Sequence, residues 1–183
     1  MSKLNLNEKY NPLFESDCRY FIITGGRGSG KSYAVTVFLT LLTMSRGIRV
    51  LFTRYTMTSA HLSIIPEFLE KISLLGFESI FSINKAEVVN SGNKSDILFR
   101  GIKTSSGNQT ASLKSLQGIS TWCLDESEEL IDEDIFDTID LSIREKDIQN
   151  RIILILNPVT KEHWIYKRFF EDKGVEGGFN GVK

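Results

Sequence analysis

Apolar positions in this 183-residue chain fall into short continuous runs separated by longer segments where they recur at helical spacing. Tyr20-Phe21-Ile22-Ile23-Thr24 is one such run, with the β-branched content of a strand buried on both faces of a parallel sheet. In residues 31–46 the apolar side chains Ala34, Val35, Val37, Phe38, Leu39, Leu41, Leu42 and Met44 surround a predicted helix, which must therefore be covered on most sides. Arg46-Gly47 supplies a cation and a glycine C-cap for its end. A second strand, Arg49 to Arg54, leads to a helical segment from about Ser59 to Leu75, where Pro66 either opens a helix or kinks a longer one. Ala86 to Arg100 alternates around Asn90-Ser91-Gly92-Asn93 and predicts a hairpin, placed here as a side feature of the sheet. Residues 101–118 are polar and read as a mobile loop, of a length that tends to carry function. Ile119 to Leu124 is a third buried strand. Ile135, Ile139 and Ile143 form a helical stripe that Asp132 can cap, and Arg151 to Leu156 is a fourth core strand, stopped by Pro158. Strands alternating with helices predict an α/β fold, a mainly parallel sheet with helices on both faces.

Composition narrows the class. With 41% hydrophobic and 25% charged residues, 12 Phe, 5 Tyr and only 3 Pro, the chain has the material for a sizeable core, which excludes disordered, collagen-like and coiled-coil readings. Cys18 and Cys123 stand in neither a metal-ligand nor a disulfide spacing, which predicts a reducing compartment. The N-terminus is polar where a signal peptide is apolar, and the longest uncharged run, between Lys31 and Arg46, is too short and too rich in Ser and Thr to span a bilayer. A cytoplasmic protein is expected, with no membrane partner. Residues 1–124 carry 14 Lys and Arg against 8 Asp and Glu, whereas residues 125–183 carry 8 against 15. This asymmetry favours an anionic ligand on the first half, without the excess of a protein coated in nucleic acid.

The chemistry begins at Gly25-Gly26-Arg27-Gly28-Ser29-Gly30-Lys31-Ser32, which matches G-x-x-x-x-G-K-S and lies between a predicted strand and a predicted helix. That context defines a P-loop. Its glycines let backbone N–H groups turn toward phosphate oxygens, Lys31 neutralises β/γ-phosphate charge, and the Ser32 hydroxyl can ligate Mg²⁺. Asp125 and Glu126 end an apolar strand, where Asp125 is placed as the second metal anchor and Glu126 as the base that orients a water. The acids that follow, Glu128 through Asp140, read as a solvated face. Asn157 ends the next core strand and either reports the γ-phosphate through its amide or forms an Asn-Pro turn. Arg27 is placed either on the phosphates or on the surface. Lys114 and Arg144 are candidates for a cation donated to a neighbouring subunit's nucleotide, an ordinary surface role being equally open. His61 and His163 receive no chemistry, and Trp164, Tyr166, Phe169 and Phe170 read as packing residues.

Taken in order, Asn11-Pro12-Leu13, Arg19-Tyr20, the P-loop, Thr53-Arg54, Lys114-Ser115-Leu116-Gln117-Gly118, Asp125-Glu126 and Asn157-Pro158 followed by His163 to Phe169 resemble the ATPase domain of the large terminase subunit of tailed bacteriophages. The resemblance implies a P-loop NTPase fold of the ASCE, RecA-like type over residues 1–158, with residues 159–183 as an exit helix and the start of a linker toward a nuclease domain that this chain does not carry. It implies an ATP- and Mg²⁺-dependent motor that moves double-stranded viral DNA into a procapsid in the host cytoplasm, as a homo-oligomeric ring working with the portal protein and the small terminase subunit. By position, Arg27 corresponds to the P-loop arginine, Glu126 to the catalytic glutamate and Asn157 to the motif coupling hydrolysis to movement. No DNA cleavage is expected of this chain alone. Two other readings share the nucleotide site: a helicase- or recombinase-like ATPase unrelated to packaging, and a nucleotide-gated assembly module, against which Glu126 argues.

Overall fold

A computed structural model describes residues 6–57, 60–104, 107–108, 113 and 115–175. The chain enters through a 3₁₀ turn, Glu8–Tyr10, and a short helix α1, Pro12–Glu15. Strand β1 (Tyr20–Thr24) then leads through the P-loop into α2 (Lys31–Leu42), followed by β2 (Arg49–Thr56) and α3 (Ala60–Leu74). Three further strands, β3 (Phe81–Ile83), β4 (Glu87–Asn90) and β5 (Asp96–Thr104), precede a two-residue β6 (Gly107–Asn108). Strand β7 (Thr121–Asp125), helix α4 (Glu133–Asp140) and strand β8 (Arg151–Leu156) complete the core, and α5 (Trp164–Tyr166) runs into a π turn, Lys167–Glu171.

Among the described residues the eight strands form one sheet in the order β1-β8-β7-β2-β5-β4-β3, with β6 attached to β5. The pairs from β1 across to β5 are parallel, and β4, β3 and β6 are antiparallel additions. Side-chain alternation sorts the core into two layers. Val50, Phe52, Ile97, Phe99, Cys123, Ile153 and Ile155 pack beneath α2 and α3, whereas Leu51, Leu98, Trp122, Leu124, Leu154 and Leu156 meet α4 and α5 on the other face. Continuous apolar runs are thus explained: strands covered by helices on both sides have no polar face to keep.

The expected hairpin is not a side feature. Strand β5 pairs antiparallel with β4 on one edge and parallel with β2 on the other, from Arg49 against Asp96 to Thr56 against Lys103. Ile97, Leu98 and Phe99 are all buried, so the strand is interior. Helix α2 also stops at Leu42 rather than near Arg46. The carbonyls just beyond that end are taken by the hairpin turn, where Asn93 Nδ2 donates to Thr43 O (3.1 Å) and Met44 O (2.9 Å) and Asn90 Nδ2 donates to Thr43 O (3.1 Å). Pro66 lies inside α3. Asp132 caps α4 as expected, accepting from Asp134 N at 3.0 Å. Of the expected polar loop, β5 continues to Thr104 and β6 returns against it, while Lys114 and residues 105–106 and 109–112 lie outside the described residues.

Candidate nucleotide-binding site

The strand order brings the site together. Because β8, β7 and β2 follow β1 in space, the carboxyl ends of these parallel strands deliver the P-loop, Asn157, Asp125 and Arg54 side by side along one edge of the sheet. Ligands in open α/β sheets bind outside this edge. A cavity of about 360 Å³ lies there, lined by Arg27 to Tyr33, Arg54, Asp125, Glu126, Glu128 and residues 155–157.

Three of the loop glycines answer to geometry. Gly28 and Gly30 hold φ values of 77° and 82°, in the left-handed region, and a Cβ on Gly25 would come within 3.0 Å of Ser29 Oγ. Gly30 is also the residue before α2 and offers no side-chain cap, so the first-turn amides of that helix face the cavity as anion donors. The loop is held from outside: Tyr10 Oη and Lys9 Nζ donate to Ser29 O at 2.9 and 3.1 Å. Lys31 folds back on the loop, donating to Gly25 O (2.7 Å), Gly26 O (3.3 Å) and Asn157 Oδ1 (3.1 Å). Arg27 is exposed at the cavity wall.

Asp125 is buried, and Oδ2 accepts from Arg54 Nε at 2.8 Å and Nη2 at 2.6 Å. Arg54 Nε also lies 3.6 Å from Glu126 Oε2. Burial pushes the Glu126 carboxyl above its ordinary range, with Arg54 pulling the other way. Glu126 sits in the left-handed conformation (φ 53°, ψ 44°), which turns the chain sharply off β7 into a 3₁₀ turn, Ser127–Glu129. Ser32 and Asp125 give two hard oxygen donors on one cavity, the donor chemistry Mg²⁺ takes when most of its shell comes from phosphate and water. The residues fit that ion.

Two residues of the site are not legible as such in the sequence. Arg54 reads there only as a strand end, although a charged side chain closing a buried strand is itself a signal. Glu128 reads as part of a solvated acidic face, yet Oε1 accepts from Asn157 Nδ2 at 2.6 Å and Oε2 is buried. The acidic run also departs from a solvated face further on: Asp140 is buried against Arg19 and Tyr20, and Glu133 and Asp137 bind Arg168. Spacing alone does not separate these acids, since their partners come from distant segments. Arg144 stands exposed beside Gly118 and Ser142, at the amino ends of β7 and β8, the opposite edge from the P-loop. It does not reach its own chain's site. Lys114 lies outside the described residues.

A parallel sheet whose first strand opens a P-loop, with an Asp-Glu pair at the carboxyl end of β7, defines the class of P-loop NTPases. The model of the phage terminase large subunit family matches residues 17–177, and the chain belongs to that family. It is similar to the large terminase subunit of Bacillus phage SPP1, with 25% identity over 92% of this chain and 43% of that one. Among solved structures it is similar to the large terminase of a thermophilic bacteriophage, at a TM-score of 0.73 and 13% identity over 93% of this chain and 43% of that one. The same protein in complex with ADP scores 0.69, with 12% identity over 92% of this chain and 42% of that one. The large terminase ATPase domain of Thermus phage P74-26 scores 0.65, with 18% identity over 89% of this chain and 68% of that one. The chain thus spans less than half the length of the SPP1 protein and of the terminase crystallised with ADP. Among the described residues no helix is long and apolar enough to cross a membrane.

Proposed function

We propose that this chain is the ATP-hydrolysing motor domain of a large terminase subunit, driving double-stranded DNA into a procapsid. The observation that carries the reading is the convergence of Lys31, Asp125, Glu126 and Asn157 on one cavity in a chain of this family. The loop amides and Lys31 bind the phosphates of ATP, and Arg27 reaches them from the cavity wall. Ser32 and Asp125 hold Mg²⁺, which supplies neutralisation of phosphate charge. Glu126 accepts a proton from the attacking water, a role suited to a carboxylate whose proton affinity burial has raised. Asn157, already bonded to Lys31, registers whether a γ-phosphate occupies the lysine, and so links chemistry to movement. The working assembly is a homo-oligomeric ring on the portal protein in the host cytoplasm, with the small terminase subunit and DNA as partners and Arg144 or Lys114 as the cation donated between subunits. Nucleotide affinity and turnover, measured separately, test the site: Lys31→Ala loses binding, whereas Glu126→Gln keeps binding and loses turnover by roughly 10² or more. Normal turnover in Glu126→Gln overturns the assignment of the base.

A further inference from the structure

Glu128 and His163, neither given a role in the chemistry, lie on one continuous path from the P-loop lysine to the segment where the chain leaves the domain. Lys31 donates to Asn157 Oδ1 (3.1 Å), and Asn157 Nδ2 donates to Glu128 Oε1 (2.6 Å). An amide has one accepting and one donating end, so the Glu128 carboxylate fixes which way Asn157 faces: with Nδ2 held by Glu128, Oδ1 must point at Lys31. The path then passes through the main chain. His163 Nδ1 accepts from Ile165 N at 3.2 Å and therefore carries no hydrogen there, so Nε2 carries the ring proton and donates to Glu128 O at 3.2 Å. The neighbouring Trp164 Nε1 donates to Leu130 O at 2.6 Å, inside the core. The exit segment is thus pinned by two adjacent side chains to alternate carbonyls of the turn that Glu126 opens. Ser127 Oγ, donating to Ile155 O at 3.1 Å, ties that turn to β8, the strand that leads into Asn157.

We infer that Glu128 is the positioning residue of the phosphate sensor, holding the Asn157 amide through its side chain and passing the position of that amide to the exit segment through the bond between its carbonyl and His163. The inference rests on the proposed ATPase reading. When the γ-phosphate draws Lys31 away, Asn157 loses the partner of Oδ1 but stays bound to Glu128. The change is then delivered to a short turn rather than to solvent. That turn holds His163 and Trp164, so a displacement there alters how firmly α5 and the π turn are pinned. This route leaves the main chain that runs from β8 through Pro158 and crosses instead to the turn after β7.

Amide hydrogen exchange in residues 164–172 tests this on the 183-residue chain, with and without saturating β,γ-imido ATP. Wild type is expected to show a nucleotide-dependent change of roughly threefold to tenfold, the scale of one hydrogen bond in a local opening equilibrium. Glu128→Ala abolishes that difference. Glu128→Gln, whose amide oxygen still accepts from Asn157, retains it, and its retention separates the hydrogen bond from damage to the fold. Trp164→Phe, which keeps an aromatic ring and removes the donor, reduces the response while leaving the P-loop intact. A full wild-type response in Glu128→Ala overturns the relay, as does equal loss in Glu128→Gln. If wild type binds no more nucleotide than Lys31→Ala, the ATPase reading itself fails, and a nucleotide-bound wild type with no response in residues 164–172 overturns the relay alone.

Discussion

Glu126 combines two features that pull in different directions. Its left-handed backbone (φ 53°) is a conformation that costs an L-residue roughly 1–2 kcal/mol, and glycine nothing. Glu126→Gly is therefore expected to be about 1 kcal/mol more stable than Glu126→Ala in urea unfolding, although both lose turnover; equal stabilities would mean that the turn carries no strain. Its carboxyl is raised chiefly by burial, while the Arg54 guanidinium favours the charged form. On the proposed role of Glu126 as the base, which must be ionised to act, kcat/KM is expected to rise with pH through its titration, whose position lies above the ordinary carboxylate range. Removing the cation disfavours the charged form further. In Arg54→Ala the acid limb of the pH profile should thus move to higher pH, measured on whatever activity remains, and a limb that stays or moves down would show that another group titrates. Arg54 also neutralises Asp125 through two short bonds, so the same substitution leaves a buried carboxylate unpaired.

Among the elements, helix α2 shows how a local signal yields to a distant one. Arg46-Gly47 offers a plausible end, but the helix stops at Leu42, and the side chains of Asn90 and Asn93, from the turn before β5, take the carbonyls of Thr43 and Met44 just beyond it. The helix that begins at the P-loop is therefore anchored at its far end to the same hairpin that β2 incorporates into the sheet. Asn93→Ala removes the donor to the carbonyls of Thr43, Met44 and Ser45 and should cost about 1–2 kcal/mol, read as a lower denaturant midpoint. Nucleotide affinity should change little, because the loop lies a whole helix away. An unchanged midpoint would mean that water replaces the amide without penalty. The aromatic segment after β8 packs as its spacing predicts, with Trp164 buried against Phe136 at a ring separation of 4.7 Å.

For the molecule as a whole, the two edges of the sheet are chemically distinct: the carboxyl ends carry the candidate nucleotide site and the amino ends carry Arg144. A subunit cannot bring its own Arg144 to its own P-loop, so any part in hydrolysis requires a neighbour. Mixing Lys31→Ala subunits with Arg144→Ala subunits is expected to restore part of the turnover that each lacks, since a trans cation is worth roughly 10³ or more. No recovery under ring-forming conditions removes Arg144 from that role. The P-loop, the Asp125-Glu126 pair, the alternation of core strands and helices, and the family are all legible in the amino-acid order, because each is written in contiguous residues whose spacing has one physical use. The interior place of β5, the end of α2, and the membership of Arg54 and Glu128 in the site are settled only by folding. In each of these cases the partner lies far away in the chain: Arg49 to Thr56 for β5, Asn93 for α2, Asp125 for Arg54 and Asn157 for Glu128. Residue type and spacing record a side chain's own preferences, whereas the partner that makes an acid a surface charge or part of a site is chosen only when the strands take their order in the sheet.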